Sequence, residues 1–284
     1  MRHLLFSAFF ALLPIAAVAQ TAPAGFPPKP AAPATVVEKP ATPAQKAGPA
    51  AKLTTPKIPA PKLVEPRLSV ARSGVATRPR VALTFDACMG QADERILSTL
   101  VRERIPATIF VTARWLRKNP QAIQIFLQNL DLFDIENHGQ NHIPAVDVPT
   151  LIYGIAAAGS SEAVYQEVAG GAAAMQAAGF SAPRWFRGST AKYDASAIHQ
   201  IRDMGYRIAG YSLNGDDGSL LGAGAAEKRI AAAKDGDVVI AHINQPTHAA
   251  GEGVARALLA LKKRGVEFVR LSDVEGLGND DTTQ

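Results

Sequence analysis

Residues 135–144 read IENHGQNHIP, and this stretch carries the strongest indication of fold and function in the chain. It places His138 and His142 four residues apart, just after the apolar run Leu132 to Ile135, which is typical of a short buried strand. On a helical turn, residues four apart project from one face, so two imidazoles can converge on a divalent ion such as zinc. The alternative interpretation is that no metal is bound, and that one histidine caps an element while the other packs in the core.

Three further polar residues stand where other apolar runs end. They are Asp86, Arg187 and His242. In a parallel barrel, the carboxyl ends of the strands meet at one face, and enzymes gather their active sites there. Singly, each has an ordinary interpretation: a turn aspartate, a surface ion pair and a core histidine. As a set, they indicate a carboxylate at the mouth of the fold, a guanidinium that could brace it and an imidazole that is a candidate proton donor.

Strand-like runs alternate with amphipathic or alanine-rich stretches over most of the chain, which predicts β/α units around a mainly parallel sheet or barrel. The predicted strands lie at residues 81–85, 107–111, 132–135, 185–187, 207–212, 238–241 and 267–271. The predicted helices lie at residues 93–104, 120–130, 161–178, 195–204, 225–233 and 253–264. Gly179, Gly205 and Gly265 stand where three of these helices should end, because glycine accepts a left-handed backbone.

The first 66 residues predict two segments outside the folded domain. Residues 1–19 combine a basic start, a short apolar run and an A-V-A ending, which is typical of a secretory signal peptide; an uncleaved anchor is the alternative. Residues 20–66 are rich in proline, alanine and lysine and predict a disordered linker. The catalytic domain is expected at residues 67–284. We therefore expect a periplasmic or secreted protein with no membrane span after cleavage of the signal.

Charge and cysteine content narrow the function classes. The linker holds six lysines and two glutamates, a net +4 within an overall +5, so the folded region is close to neutral. No basic stripe interleaved with aromatic residues occurs there, so the sequence does not indicate nucleic-acid binding. Cys88 is the single cysteine, which excludes an internal disulfide framework.

Five stretches, in order, resemble the motifs of polysaccharide deacetylases of carbohydrate esterase family 4 (CE4), the family with the NodB homology domain. TFDA at residues 84–87 is similar to the family's T-F-D-D, and NHGQNH at 137–142 is similar to N-H-[ST]-x-x-H. RGSTAKYD at 187–194 is similar to R-P-P-Y-G-x-Y-D, and YSLNGDDG at 211–218 to W-S-x-D-x-x-D-W. IAH at 240–242 resembles L-x-H. The resemblance covers nearly all of residues 80–274.

The resemblance implies a distorted (β/α) barrel of about seven strands that removes acetyl groups from N-acetylated sugars. His138 and His142 would bind a divalent metal, either zinc or, as other possibilities, cobalt or nickel. Asp86 would be the general base toward a metal-bound water and an additional candidate ligand, and His242 would be the general acid. Arg187 would orient Asp86, and Asp217 would support His242. We expect a monomer whose partner is an N-acetylated glycan of the cell envelope.

The chain departs from the family pattern at Ala87, which replaces a metal-ligating aspartate. Catalytic zinc normally takes three protein ligands, so another group would have to complete the site. The candidates are Asp86 itself, Cys88 and Asp216, and a buried core thiol is the alternative interpretation of Cys88. Two other functions remain open: a glycan-binding protein with weakened catalysis, and a deacylase of a small amide.

Overall fold

The computed structural model describes residues 60–72, 78–274 and 276–279. The chain divides after Pro56, and all described residues belong to the unit Lys57–Gln284. The predicted signal peptide and residues 20–59 of the predicted linker lie outside the described residues. Among the helices of the described part, none combines the length and the hydropathy that a membrane crossing requires.

Strand β2 (Arg80–Ala87) is an interior strand of the main sheet, and its side chains alternate between two environments. Val81, Leu83, Phe85 and Ala87 pack into the largest apolar cluster, together with residues of the surrounding helices. The side chains between them project to the opposite side of the sheet, because successive residues of a strand face opposite ways. Asp86 therefore points away from this cluster, into the interior of the curled sheet.

Seven strands form a curled half-barrel, which confirms the predicted distorted (β/α) barrel. In spatial order they are β8 (Arg207–Ile208), β7 (Trp185–Phe186), β4 (Phe133–Asn137), β3 (Ala107–Val111), β2, β10 (Val238–His242) and β9 (Leu213–Asn214). Every pairing along this path is parallel. An eighth strand, β11 (Glu267–Val269), pairs in parallel with the first half of β2.

The helices lie close to the predicted positions, since the apolar periodicity that places them reflects real packing against the sheet. They are α1 (Glu94–Arg102), α2 (Ala113–Lys118), α3 (Pro120–Leu127), α4 (Ser161–Ala177), α5 (Ala195–Asp203), α6 (Ala223–Ala231) and α7 (Ala250–Lys263). Helix α2 was not predicted. Gly179, Gly205 and Gly265 have φ angles of 92°, 90° and 80° directly after three helices, as predicted.

Two small antiparallel pairs were also not predicted. Strand β1 (Arg67–Val70) pairs with β12 (Gly276–Asn279), and β5 (Leu151–Ile152) pairs with β6 (Ile155–Ala156). These strands are only two to four residues long, too short to show a periodic pattern in the sequence.

The folded body begins before the expected boundary at residue 67. Val64 is buried and exchanges two backbone hydrogen bonds with Tyr193, with N–O distances of 2.7 and 2.9 Å. Glu65 accepts a hydrogen bond from the hydroxyl of Tyr211. The last residues of the predicted linker are thus part of the domain, because their backbone and side chains find partners on it.

Helix α4 approaches the loop after β4 closely, and a glycine makes this possible. A Cβ atom added at Gly171 would lie 2.2 Å from Asn137 Oδ1 and 2.8 Å from the backbone carbon of Gly139. The latter atom belongs to the main chain of the loop that carries both candidate histidines, so it cannot move away cheaply. Gly171 therefore fixes how near the helix lies to that loop.

We predict that Gly171→Ala lowers the free energy of unfolding by about 1–3 kcal/mol, because the added methyl group forces helix and loop apart. Gly224→Ala is the matched control: it is also helical, and nothing lies within 4 Å of its added Cβ. This control should leave the stability unchanged or raise it by up to about 1 kcal/mol. Urea unfolding of both variants makes the comparison, and equal effects at the two positions would contradict the proposed close contact.

Candidate active site

Four of the predicted site residues meet at the carboxyl edge of the sheet because the strands that carry them are parallel and in register. Asp86 of β2 and His242 of β10 are direct neighbours in the β2–β10 ladder. His138 directly follows β4, and Arg187 directly follows β7. Asp86, His138 and His242 line one open cavity of about 520 Å³, and His142 lies in the same cavity wall.

Arg187 is fully buried and holds Asp86 in place. Its Nη1 donates to Asp86 Oδ1 and to Thr84 Oγ1, both at 2.9 Å. Its Nε donates to the carbonyl oxygen of Ala209 at 3.1 Å, and its Nη2 donates to the carbonyl oxygen of Gly210 at 3.0 Å. The predicted contact between Arg187 and Asp86 is therefore present in the structure. A buried guanidinium with these partners keeps the carboxylate in one orientation.

The charges around Asp86 favour its ionised form. Burial by itself would raise the pKa of this carboxyl group, but the charge of Arg187, with smaller effects of His138 and His242, outweighs burial and lowers the pKa below its ordinary value. Asp86 Oδ2 lies 3.9 Å from Nε2 of His138. A carboxylate that stays ionised next to imidazole groups has the state that a general base requires.

The two histidines converge through a loop, and the helical turn that their spacing suggested is not formed. Gly139 and His142 both have a left-handed backbone, with φ of 90° and 62°. The carboxylate of Glu167, buried on α4, accepts the backbone N–H groups of Asn141 and Ile143, at 2.9 and 3.1 Å. These bonds satisfy the loop backbone, so a helix is not needed to bring the rings together. The ring centroids lie 5.1 Å apart.

Cys88 is the third member of this cluster. Its Sγ lies 3.4 Å from Nε2 of His138, and one ligand atom each of Cys88, His138 and His142 lie within 4.8 Å of one another. Nδ1 of His138 lies 2.5 Å from the backbone oxygen of Arg187, to which it can only donate. Nε2 therefore faces the thiol, and in the neutral ring this nitrogen carries the lone pair. A thiol and two imidazoles are a donor set that suits zinc, so the chemistry of the site fits a divalent metal.

Electrostatics separates charge within the cluster. Burial would raise the pKa of Cys88, but the charge of His138 and hydrogen bonds with the site histidines lower it well below the ordinary value. Burial would lower the pKa of His138, but Asp86 and Cys88 raise it. The thiol at this position therefore has thiolate character, which is the form that ligates metals.

His242 is supported by Asp216, so the prediction that assigned this role to Asp217 is wrong. Asp216 is fully buried; its Oδ1 lies 2.9 Å from His242 Nδ1, and its Oδ2 accepts the backbone N–H of His242 at 2.7 Å. The next residue, Asp217, has φ of 55° and an exposed side chain at the cavity wall. The chain turns sharply there, so only the first of the two aspartates faces the sheet. Burial would lower the pKa of His242, but Asp216 raises it well above the ordinary value.

The cavity has a rim of exposed apolar side chains. Tyr153, at the tip of the β5–β6 hairpin, is 75% exposed, and Leu220 is 77% exposed. Met89 and Ile155 add further apolar side chains to the lining, and Asn244 and Gln245 add polar groups. The hairpin thus forms one wall of the groove. Large exposed apolar residues around a polar floor are typical of a binding site.

Several residues of the site have left-handed backbone conformations that are rare outside glycine. They are His142, Tyr153, Thr190, Ala191 and Asp217, with φ between 51° and 68°. All five line the cavity. Such conformations cost on the order of 1 kcal/mol each and cluster at functional sites. The folded chain therefore carries strain at this cavity, as expected where positions serve a ligand.

Sequence reasoning missed two functional contacts. Glu167 stands mid-helix with no motif around it, so nothing in the sequence links it to the histidine loop. Asp216 was considered as a rescue ligand, but its contact with His242 depends on the direction of a turn. The strand period predicts that Cys88, two residues after Asp86, lies on the same face, and the structure places both residues in the wall of one cavity.

The fold and the site define a (β/α) half-barrel with a carboxylate, imidazoles and a thiol at the carboxyl ends of its strands. Residues 73–209 match the sequence model of the polysaccharide deacetylase family. Over these residues, the match confirms the resemblance to the polysaccharide deacetylases that the motifs indicate. A comparison with curated proteins found no match.

Solved structures with the same fold include a deacetylase, an esterase and a pseudoenzyme. A CE4 family pseudoenzyme from Bacillus anthracis shares 20% identity, with a TM-score of 0.55, over 70% of this chain and 66% of its own, slightly less than two thirds. A peptidoglycan N-acetylglucosamine deacetylase shares 17% identity, with a TM-score of 0.59, over 72% of this chain and 90% of its own. A family 4 acetyl xylan esterase from Clostridium thermocellum, in complex with cobalt, shares 22% identity, with a TM-score of 0.55, over 68% and 89%. At these identities, the likeness supports the fold alone.

We predict different costs for the same substitution at the two neighbouring aspartates. Asp216→Asn removes a buried charge that binds the ring and the backbone N–H of His242, so it should lower the free energy of unfolding by about 1.5–3 kcal/mol. Asp217→Asn changes an exposed side chain and should shift the free energy of unfolding by no more than about 0.5 kcal/mol. Chemical denaturation of both variants measures the difference. A larger cost at Asp217 would contradict the assignment of Asp216.

Proposed function

We propose that this chain is an exported, metal-dependent hydrolase that removes N-acetyl groups from a glycan of the cell envelope. The observation that carries the proposal is the pairing of Asp86 and His242 on adjacent strands, beside a cluster of metal-ligating side chains in one cavity. Amide hydrolysis needs a group that takes a proton from water and another that gives one to the leaving amine. The cavity supplies both, and each is held by a buried partner.

Asp86 is the general base in this proposal. Its Oδ1 is committed to Arg187, so Oδ2 is the oxygen available to water. As the oxygen of water bonds to the acetyl carbonyl carbon, one O–H bond of the water breaks and Asp86 takes that proton. Because Arg187 lowers its pKa, Asp86 is ready in the ionised form before the substrate binds.

His242 is the general acid. Asp216 accepts its Nδ1–H, which orients the ring and favours the protonated form. When the C–N bond breaks, His242 donates its Nε2 proton to the departing amine, and the products are acetate and a free amino sugar. Asp86 then releases its extra proton to solvent, and His242 takes up a proton from solvent, so the enzyme returns to its starting state.

His138 and His142 would hold the metal, with a third group from the same cavity. The residues fit such an ion because both rings are positioned by polar neighbours: His138 through the carbonyl of Arg187, and His142 through the hydroxyl of Ser189, at 3.3 Å from its Nδ1. When bound, a divalent metal supplies Lewis acidity toward a carbonyl oxygen and lowers the pKa of water. Zinc is the proposed ion, with cobalt and nickel as the alternatives.

The groove wall supports a carbohydrate substrate. The exposed ring of Tyr153 can pack against a sugar, and the ammonium of Lys192 lies 5.0 Å from the centre of the same ring. The groove is open to solvent, as binding within a polymer requires. We propose a periplasmic or secreted location and a monomeric state, which agree with the predicted signal peptide and with a site complete in one chain.

A second function is favoured by one observation. Ala87 occupies the position of a family metal ligand and is fully buried in the apolar cluster, and a relative of the same fold is a pseudoenzyme. A chain that keeps the groove but cannot hold a metal would bind glycans without hydrolysing them. The apolar rim of the cavity also leaves room for a small amide as substrate.

We predict that the full mature chain, supplied with zinc, releases acetate from N-acetylglucosamine oligomers, and that Asp86→Asn lowers the rate by about 100-fold to 10,000-fold. The reason is that an amide cannot accept the proton of the attacking water. Asp131→Asn is the matched control, since this exposed aspartate forms a surface ion pair with Arg104 and does not line the cavity. It should release acetate at the wild-type rate.

Circular dichroism shows whether Asp86→Asn is folded, and oligomer binding is measured on the same samples. Wild-type acetate release by folded Asp86→Asn would contradict the proposed base. Oligomer binding by the zinc-loaded wild type without acetate release would overturn the hydrolase and establish the glycan-binding function. Release from small N-acetyl amides, but from no oligomer, would replace the glycan by a small substrate.

A further inference from the structure

We propose that Cys88 is the third protein ligand of the metal and takes the place of the carboxylate that the chain lacks at Ala87. The site would then be a thiolate with two imidazoles, and it would select zinc or cobalt over magnesium or manganese. This inference deepens the proposed function and rests on its metal site, but its test is spectroscopic and can succeed or fail independently of turnover.

The direction of the side chains on β2 explains why position 88 and not position 87 serves the site. Ala87 lies in the apolar cluster between sheet and helices, on the far side from the cavity. Cys88 lines the cavity together with Asp86, two residues before it. A carboxylate at position 87 of this structure would enter an apolar core, whereas a side chain at position 88 meets the two histidines.

The distances agree with tetrahedral coordination. A zinc ion with bonds of about 2.3 Å to sulfur and about 2.0 Å to nitrogen holds those donor atoms roughly 3.5 Å apart. Cys88 Sγ and His138 Nε2 lie 3.4 Å apart, and the whole set of three donor atoms lies within 4.8 Å. His142 is only half-buried, so a small movement of its ring can bring its nitrogen to coordination distance from the same ion.

The interpretation of Cys88 as an ordinary core thiol does not fit its surroundings. In the part of the chain that the structure describes, Cys88 is buried but belongs to none of the apolar clusters. Its sulfur lies 3.4 Å from Nε2 of His138, and this nitrogen is free to face the sulfur because the opposite nitrogen of the ring is bonded to a backbone carbonyl. The backbone of position 88 is also held: its carbonyl accepts a 2.5 Å hydrogen bond from the buried hydroxyl of Thr112.

Replacing oxygen by sulfur changes which ions the site prefers. Thiolates favour zinc and other soft or borderline ions, whereas carboxylates also suit magnesium and manganese. Two imidazoles add ligands of the type that zinc, cobalt and nickel accept. A site with Cys88 should therefore bind zinc tightly and show little affinity for magnesium or manganese.

Cobalt substitution tests the ligand directly, because a cobalt–thiolate bond produces an intense near-ultraviolet charge-transfer band that nitrogen and oxygen ligands do not give. We expect this band in the wild-type chain and its loss in Cys88→Ser and Cys88→Asp. Met89→Leu is the matched control, since it removes the neighbouring sulfur, which lines the same cavity, and should keep the band. Zinc titration should show an affinity reduced more than about 100-fold in Cys88→Ala.

Cys88→Asp keeps the proposal testable if the alanine variant fails to fold, because aspartate restores a ligand of similar size. It should bind cobalt without the charge-transfer band and gain affinity for manganese. Since Cys88 is the single cysteine, thiol labelling reports on this position alone. Zinc should protect the wild-type thiol from labelling, and a chelator should remove the protection.

Three results would overturn the proposal: a wild-type cobalt spectrum without the sulfur band, equal zinc affinity in wild type and folded Cys88→Ala, or thiol labelling that zinc does not slow. Acetate release measured on the same samples separates this inference from the proposed function. A sulfur band without acetate release would retain Cys88 as a ligand and reject the hydrolase. Acetate release without the band would retain the hydrolase and reject Cys88 as a ligand.

Discussion

The buried guanidinium of Arg187 is the constraint on which the site depends. Removing such a charge from water costs several kcal/mol unless every donor finds a partner, so the surrounding strands have to present acceptors. Thr84 and Asp86 of β2 and two carbonyl oxygens after β8 do so, and the ring of Phe110 on β3 lies 4.3 Å from the guanidinium carbon. Through its own backbone oxygen, Arg187 also orients His138. One residue thus fixes both the proposed base, Asp86, and the proposed metal ligand His138.

The second support of the site comes from outside the sheet. Glu167 of α4 accepts hydrogen bonds from backbone N–H groups of the loop that carries His138 and His142, and Gly171 lets the helix approach that loop. Asn137 links the two, since it accepts from Gly139 N–H and donates to the carbonyl of Val168. Side chains held from two directions keep their geometry without substrate, which is what electrostatic catalysis requires.

The sequence was sufficient for the architecture and for most of the site, for a physical reason. Apolar strands followed by polar residues produce a sheet whose ends gather those residues, so Asp86, His138, Arg187 and His242 could be grouped before their distances were known. Contacts that depend on loop conformation could not be predicted in this way. The turn that presents Asp216 instead of Asp217, and the left-handed backbone at His142, arise from tertiary hydrogen bonds that leave no local pattern. Cys88 was among the possible ligands, but only its distance to His138 separates it from a core thiol.

The proposed metal centre consists of one sulfur and two nitrogen atoms at the ends of β2 and β4. X-ray absorption at the zinc edge of the reconstituted mature chain measures this most directly, because sulfur and the lighter ligands scatter at different distances. We expect one sulfur at about 2.3 Å from the zinc and imidazole nitrogens at about 2.0–2.1 Å. A shell that contains only nitrogen and oxygen, or a chain that retains no zinc after dialysis, would contradict it.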